Sequence, residues 1–185
     1  GNGNLTVTDP GSQMDVAEGS VVVGNVGAGT MNIVNGGAVE VNAQHGAGYG
    51  LVIAGDVDSY STVTVDGANS TLTLDPESGG GVLVVGGAGE GYLYVSDGGL
   101  VSAPDGIVLG QNDESYGEVD LDANGTLEVG GTNGISAGSG GYDFYMYDGG
   151  RRRVVDADLT TSLVLDLYYG DIPSIIDTQD RKSVV

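Results

Sequence analysis

The chain has 185 residues, 36 of them glycine and none cysteine, with 39% apolar residues and a formal net charge of −21. Glycine far above its usual roughly 7% share, with no Gly-X-Y period, excludes collagen, and no apolar run approaches the ~18 residues of a membrane-spanning helix. The first 150 residues hold twenty Asp and Glu and no Lys or Arg, which excludes nucleic-acid binding, an affinity built on neutralising phosphate with cations, and disfavours anionic lipid.

Read from the N-terminus, short stretches alternate apolar and polar residues: Leu5-Thr6-Val7, Met14-Asp15-Val16, Met31-Asn32-Ile33, Leu51-Val52-Ile53, Val63-Thr64-Val65 and Leu72-Thr73-Leu74. The same pattern continues in Leu93-Tyr94-Val95, Ile107-Val108-Leu109, Val119-Asp120-Leu121, Leu127-Glu128-Val129 and Phe144-Tyr145-Met146. A period of two marks half-buried strands, and no segment carries a helical period. Met31, Ile33, Leu93, Val95, Phe144 and Met146 are predicted to face inward, with Asn32, Tyr94 and Tyr145 outward.

The strands belong to a repeat. Gly24 to Val41 returns without a gap as Gly86 to Ala103, and five of the six identities are glycines, the residues required where φ is positive or backbones approach closely. A worn third copy places Phe144, Met146, Asp148, Gly149 and Gly150 in the roles of Leu93, Val95, Asp97, Gly98 and Gly99. Repeat units are read at about 1–49, 50–105 and 106–150, with looser coils over 151–179, all within one segment spanning 1–179. A parallel β-solenoid accommodates the uneven loops between copies; the alternative is a β-propeller-like repeat of four-stranded blades. The Asn35-Gly36-Gly37 and Asp97-Gly98-Gly99 turns carry a hairpin signal that favours the alternative. The solenoid reading predicts roughly eight coils of about 20 residues and, at ~4.8 Å per coil, a rod of about 40 Å.

Both ends read as artificial. The chain begins Gly1-Asn2-Gly3-Asn4, in the middle of a repeat, so the start is expected to be a truncation. Asp180-Arg181-Lys182-Ser183-Val184-Val185 is what the start of a common sequencing adapter encodes, and 180–185 is set aside as an artefact.

Three segments carry a resemblance: VGNVGAGTMNIVNGGAV, VTVDGANSTLTL and VGGAGEGYLYVSDGGLVS. With their Val-Gly step, Gly-x-Gly, alternating strand and Asn/Asp-Gly-Gly turn, they resemble the repeats of bacterial type V secretion (autotransporter) passengers and PEP-CTERM surface proteins. Residues 149–178 resemble the segment leading into autotransporter-associated β-strand repeats, although Arg151-Arg152-Arg153 and Tyr168-Tyr169 depart from it. The resemblance implies a right-handed parallel β-helix at the cell surface or secreted across the outer membrane. It also implies a translocator domain or a C-terminal sorting signal elsewhere in the protein, and an adhesin-like role toward a host or environmental glycan or protein. Direct membrane insertion by this segment is not expected. The lack of cysteine suits export through an oxidising compartment.

Candidate sites are few, and no catalytic, cofactor-binding or metal-ligating set is predicted. His45 is the single histidine, with no cysteine to share a zinc ion and no Gly-x-Ser-x-Gly elbow to serve. Paired carboxylates Asp56 with Asp58, or Asp120 with Asp122, sit at the i, i+2 spacing that overlaps the separation in inverting glycosidases. A carbohydrate-active β-helix, hydrolase or lyase, is therefore the alternative function, although acidic sugars need cations and none precedes Arg151. Asp56-Val57-Asp58 and Asn112-Asp113-Glu114 are oxygen-rich turns of the kind calcium accepts. Tyr92, Tyr94, Tyr142, Tyr145 and Tyr147 are read as an exposed aromatic ladder, and the sequons at Asn4, Asn69 and Asn124 as copies of one turn. The expected function is that of a non-catalytic stalk or passenger segment supporting adhesion.

Overall fold

The computed structural model describes residues 1–43, 48–75, 81–130, 134–154, 166–167 and 175–178. Its strands come in triplets. β1 (Gly3–Thr8), β2 (Gln13–Val16) and β3 (Val21–Val23) form the first coil, and β4 (Gly29–Val34), β5 (Ala38–Val41) and β6 (Leu51–Ile53) the second. β7 (Tyr60–Asp66), β8 (Thr71–Leu74) and β9 (Leu83–Val85) form the third, followed by β10 (Glu90–Ser96), β11 (Leu100–Ala103) and β12 (Ile107–Leu109). The fifth is β13 (Tyr116–Leu121), β14 (Thr126–Val129) and β15 (Ile135–Ala137). Beyond it lie β16 (Gly141–Met146), β17 (Arg151–Val154), β18 (Asp166–Leu167) and β19 (Ile175–Thr178).

Each strand pairs in parallel with its counterpart one coil away, giving three sheets, ordered β1-β4-β7-β10-β13-β16-β18, β2-β5-β8-β11-β14-β17-β19 and β3-β6-β9-β12-β15. The protein is an all-β parallel solenoid. A propeller would show antiparallel blades, whereas all the described pairings are parallel. The pairs Gly3 with Gly29, Gly29 with Ser61, Ser61 with Gly91, Gly91 with Gly117, and Gly117 with Tyr142 advance the chain by 26, 32, 30, 26 and 25 residues. The expectation of eight 20-residue coils is thereby corrected to about five larger turns. At ~4.8 Å per strand the seven-stranded sheet extends roughly 30 Å.

The reason for the miscount is physical. Met31 pairs with Val63, and Val63 with Leu93, so the repeat from Met31 to Leu93 spans two coils. Likewise Leu93 and Phe144 are both partners of Val119. Sequence identity is strongest between alternate coils, while the intervening strands at Leu5, Val63 and Val119 occupy the same column of the same sheet.

The Asn-Gly-Gly and Asp-Gly-Gly turns are corners between sheets instead of hairpins. Asn35 and Gly36 (φ 53° and 87°), Asp97 and Gly98 (49° and 84°), Ala123 and Asn124 (43° and 66°), and Asp148 and Gly149 (35° and 84°) each place two left-handed residues in succession, bending the chain from the first sheet to the second. The residue that follows must pass under the previous coil. A Cβ on Gly37, Gly99, Gly125 or Gly150 would come within 2.4, 2.3, 2.1 and 2.4 Å of the carbonyl oxygens of Val7, Val65, Val95 and Leu121. Glycine is therefore required there sterically. In the third coil this corner has one more residue, and Ser70 stands in the glycine row; its Oγ donates to the Asp66 carbonyl at 2.6 Å and accepts from the Gly36 N–H at 3.0 Å. The sequons do not share a turn: Asn69 and Asn124 are left-handed corner residues, but Asn4 lies within β1.

Inside, like stacks on like. Leu5, Met31, Val63, Leu93, Val119 and Phe144 form one column of the first sheet, and Val7, Ile33, Val65, Val95, Leu121 and Met146 the next. Met31, Ile33, Leu93, Val95, Phe144 and Met146 are all buried, as their alternation predicts. Columns from the other two sheets, among them Leu72 and Leu74 on β8 and Ile107 and Leu109 on β12, close the same core. Among the described residues no coil lies against the outer side of the first, and Leu5, Met14, Val16 and Val21 are only partly buried. A hollow of about 440 Å³ opens there, lined by β1, β3, β4 and the β3–β4 corner.

Candidate functional site

Chemistry-bearing side chains concentrate on the outer face of the first sheet, across β7, β10, β13 and β16. Its composition follows from register. One row across the strands reads Tyr60, Glu90, Tyr116; the next Thr62, Tyr92, Glu118, Asp143; the third Thr64, Tyr94, Asp120, Tyr145. In the first and third rows carboxylates and phenols alternate, so that Glu90 is flanked by Tyr60 and Tyr116 and Asp120 by Tyr94 and Tyr145, whereas in the second Glu118 and Asp143 are neighbours. Asp122 follows β13 at the edge of this face and turns its Oδ1 toward the Ala123 N–H at 2.7 Å.

The rings touch one another. Tyr92 packs against Tyr60 at 4.9 Å between centroids and 38° between planes, against Tyr116 at 6.0 Å and 54°, and against Tyr94 at 6.3 Å and 20°. Tyr145 meets Tyr147 at 5.8 Å. Such offset and tilted contacts suit the ring quadrupoles. Tyr60 is 55% exposed; the other members of the cluster are half-buried.

Hydroxyl protons are shared thinly. Tyr92 Oη donates to Glu90 Oε2 at 3.2 Å, while Tyr116 Oη lies 2.9 Å from Glu118 Oε2 and 2.5 Å from Asp143 Oδ2. One phenolic proton can satisfy only one of these two carboxylates at a time. Burial, then Glu90, raises the Tyr92 hydroxyl above the ordinary phenol range, and burial, then Asp143 and Glu118, does the same to Tyr116. Tyr94 is pushed up to about 12, by burial first and then by the charges of Glu118 and Asp120. Burial, followed by the charges of Glu118, Asp122 and Asp143, raises Asp120 to about 6. Its Oδ1 is fully buried with no hydrogen-bond partner among the described residues.

Sequence reasoning found part of this face. Tyr92, Tyr94, Tyr145 and Tyr147 belong to it, but Tyr142 does not: it occupies the inward row of Gly29, Ser61, Gly91 and Gly117, packed against the core. Tyr60 and Tyr116, which lie outside the alternating stretches read from the sequence, begin β7 and β13; their signal was the two-residue offset from Thr62 and Glu118. The pair Asp120 and Asp122 lies on the face, whereas Asp56 and Asp58 lie in the turn before β7. In that turn Asp56 Oδ1 accepts the Val57 N–H at 2.7 Å. In the corresponding turn of the fifth coil Asn112 Nδ2 donates to the Gly87 carbonyl, 25 residues earlier in the chain, at 2.8 Å. Among the described residues no group of three or more His, Asp or Glu is arranged to hold a metal ion. His45 lies outside the described residues.

Comparison with protein-family models, with curated proteins and with solved structures returns no match to this chain.

Proposed function

We propose that the chain is a non-catalytic rod segment of an exported bacterial surface protein, holding an interacting part away from the cell. The observation that carries the reading is the unbroken register of like residues from coil to coil, from Leu5 to Phe144 in one column. Each coil supplies the lid of its neighbour's apolar interior, so length is added without a new core. The resemblance of residues 1–150 to autotransporter and PEP-CTERM repeats supports export, and in that reading a translocator or sorting signal elsewhere in the protein is the partner. Folding coil by coil outside the membrane then favours outward movement of the chain that follows.

The test is display. Fused in frame before an outer-membrane translocator barrel, residues 1–179 should become accessible to added protease on intact cells; retention inside the envelope would reject the reading.

A second reading, a carbohydrate-active domain, is favoured by one observation: burial, followed by the charges of Glu118, Asp122 and Asp143, raises Asp120 to about 6, in the range that suits a general acid. It is weaker because an acidic polysaccharide would meet a face of like charge with no Lys or Arg in the first 150 residues. Release of reducing or unsaturated ends from a polysaccharide panel, abolished by Asp120→Asn, would establish it in place of the first.

A further inference from the structure

The outer face of β7, β10, β13 and β16 has features a passive rod does not need. Like charges side by side on a sheet destabilise it, yet Glu118 and Asp143 are direct register partners and Asp120 lies two residues from both Glu118 and Asp122. The first 150 residues provide no Lys or Arg to offset them. Among the described residues no donor meets Asp120 Oδ1, and Tyr116 has one proton for two carboxylates. Among the described residues the face thus offers more acceptors than there are donors to meet them.

We propose that this face is a docking surface for an arginine-rich protein segment in extended conformation. Charge complementarity selects a cationic partner, and the tyrosines select among cations. Tyr60, Tyr92 and Tyr116 are tilted by 38° and 54° to one another, so they present several ring faces at different angles instead of one flat platform for a sugar. A guanidinium lies on such a face while its N–H fork reaches the adjoining carboxylate; a lysine ammonium, compact and strongly hydrated, makes the second contact only. Spacing sets the conformation. Outward residues along β13 recur every second position, about 6.6 Å apart, at Tyr116, Glu118, Asp120 and then Asp122. An extended Arg-x-Arg-x-Arg segment has the same period, so three guanidiniums reach Glu118, Asp120 and Asp122 in step.

The experiment is fluorescence anisotropy of labelled peptides titrated with the 185-residue chain at near-physiological salt. A peptide of four alternating Arg-Gly units should bind at least 5-fold tighter than the same residues in two blocks, and at least 5-fold tighter than alternating Lys-Gly. Glu118→Gln combined with Asp122→Asn should weaken it at least 5-fold. Tyr94→Leu, which keeps apolar bulk but removes the π-face, should weaken it about 3-fold. The charge-matched control Asp9→Asn with Glu18→Gln, both exposed and in the first coil, should change it less than 2-fold, with circular dichroism confirming the fold of each variant. Equal losses in the two double variants, or equal binding of the Arg and Lys peptides, would reduce the effect to attraction by net charge and overturn the proposal. Tighter binding of a glucosamine oligomer of equal charge would overturn it in favour of a cationic glycan. None of these outcomes depends on whether the protein is displayed on a cell.

Discussion

At the scale of single residues, Asp120 is held charged against its surroundings. Burial and the charges of Glu118, Asp122 and Asp143 raise it to about 6 from an ordinary value of 3.8. An acid that binds its proton more tightly when folded contributes stability that is fully present below pH ~4 and is lost as pH rises through ~6. Asp120→Asn removes the titration. The variant should be more stable than the parent at pH 7.5, by on the order of 1 kcal/mol once solvent screening of a half-exposed group is allowed for, and the gap should shrink between pH 6 and pH 4. Urea midpoints at several pH values check this, and a gap independent of pH would contradict it. Ala54 is a second residue in tension with its place. It is fully buried with φ at 61°, in the corner position that other coils give to Gly24, Gly86 and Gly110. Ala54→Gly relieves a left-handed alanine and should be neutral or stabilising by up to about 1 kcal/mol, an unusual outcome for a buried Ala→Gly change and readable from the same urea curves.

At the scale of the element, corners hold the strands in register. Gly86 follows β9 with φ at 77°, and a Cβ there would lie 2.1 Å from the Tyr116 carbonyl oxygen of the next coil. Gly86→Ala therefore combines backbone strain with a collision between main chains. It should lower stability by roughly 2–4 kcal/mol, seen as a fall in the urea midpoint. Much of this layer was legible in the sequence, because period-two alternation and glycine position are both local signals: the inward set from Met31 to Met146 and the turns at Asn35, Asp97 and Asp148 were readable without coordinates. Coil number was not. The strongest self-similarity links every second coil, and the extra residue before Ser70 hides the equivalence of the third coil's corner. The aromatic face was half legible for a related reason. Tyr92 and Tyr94 announce themselves within one strand, but their neighbours Tyr60 and Tyr116 come from the coils on either side and meet them only through register.

At the scale of the whole molecule, stability is a sum of contacts between adjacent coils, so the same truncation must have different costs at different places. Leu5 and Leu93 occupy one column. Leu93 is fully buried between Val63 and Val119, while Leu5 has Met31 on one side and the open first-coil end on the other. Leu93→Ala leaves a cavity that two neighbouring coils must line and should cost about 2–5 kcal/mol. Leu5→Ala exposes only what was already half wet and should cost less than about 1 kcal/mol. Hydrogen exchange gives the sharper test, because coils at an end can open without the rest. In the parent, amides of β10 and β13 should be protected far longer than those of β1 and β2, and Leu93→Ala should shorten protection in β7, β10 and β13 together while Leu5→Ala leaves them unchanged. A uniform loss of protection from either variant would mean that the tube unfolds as one globular unit, and coil-by-coil growth would then have no basis in its energetics.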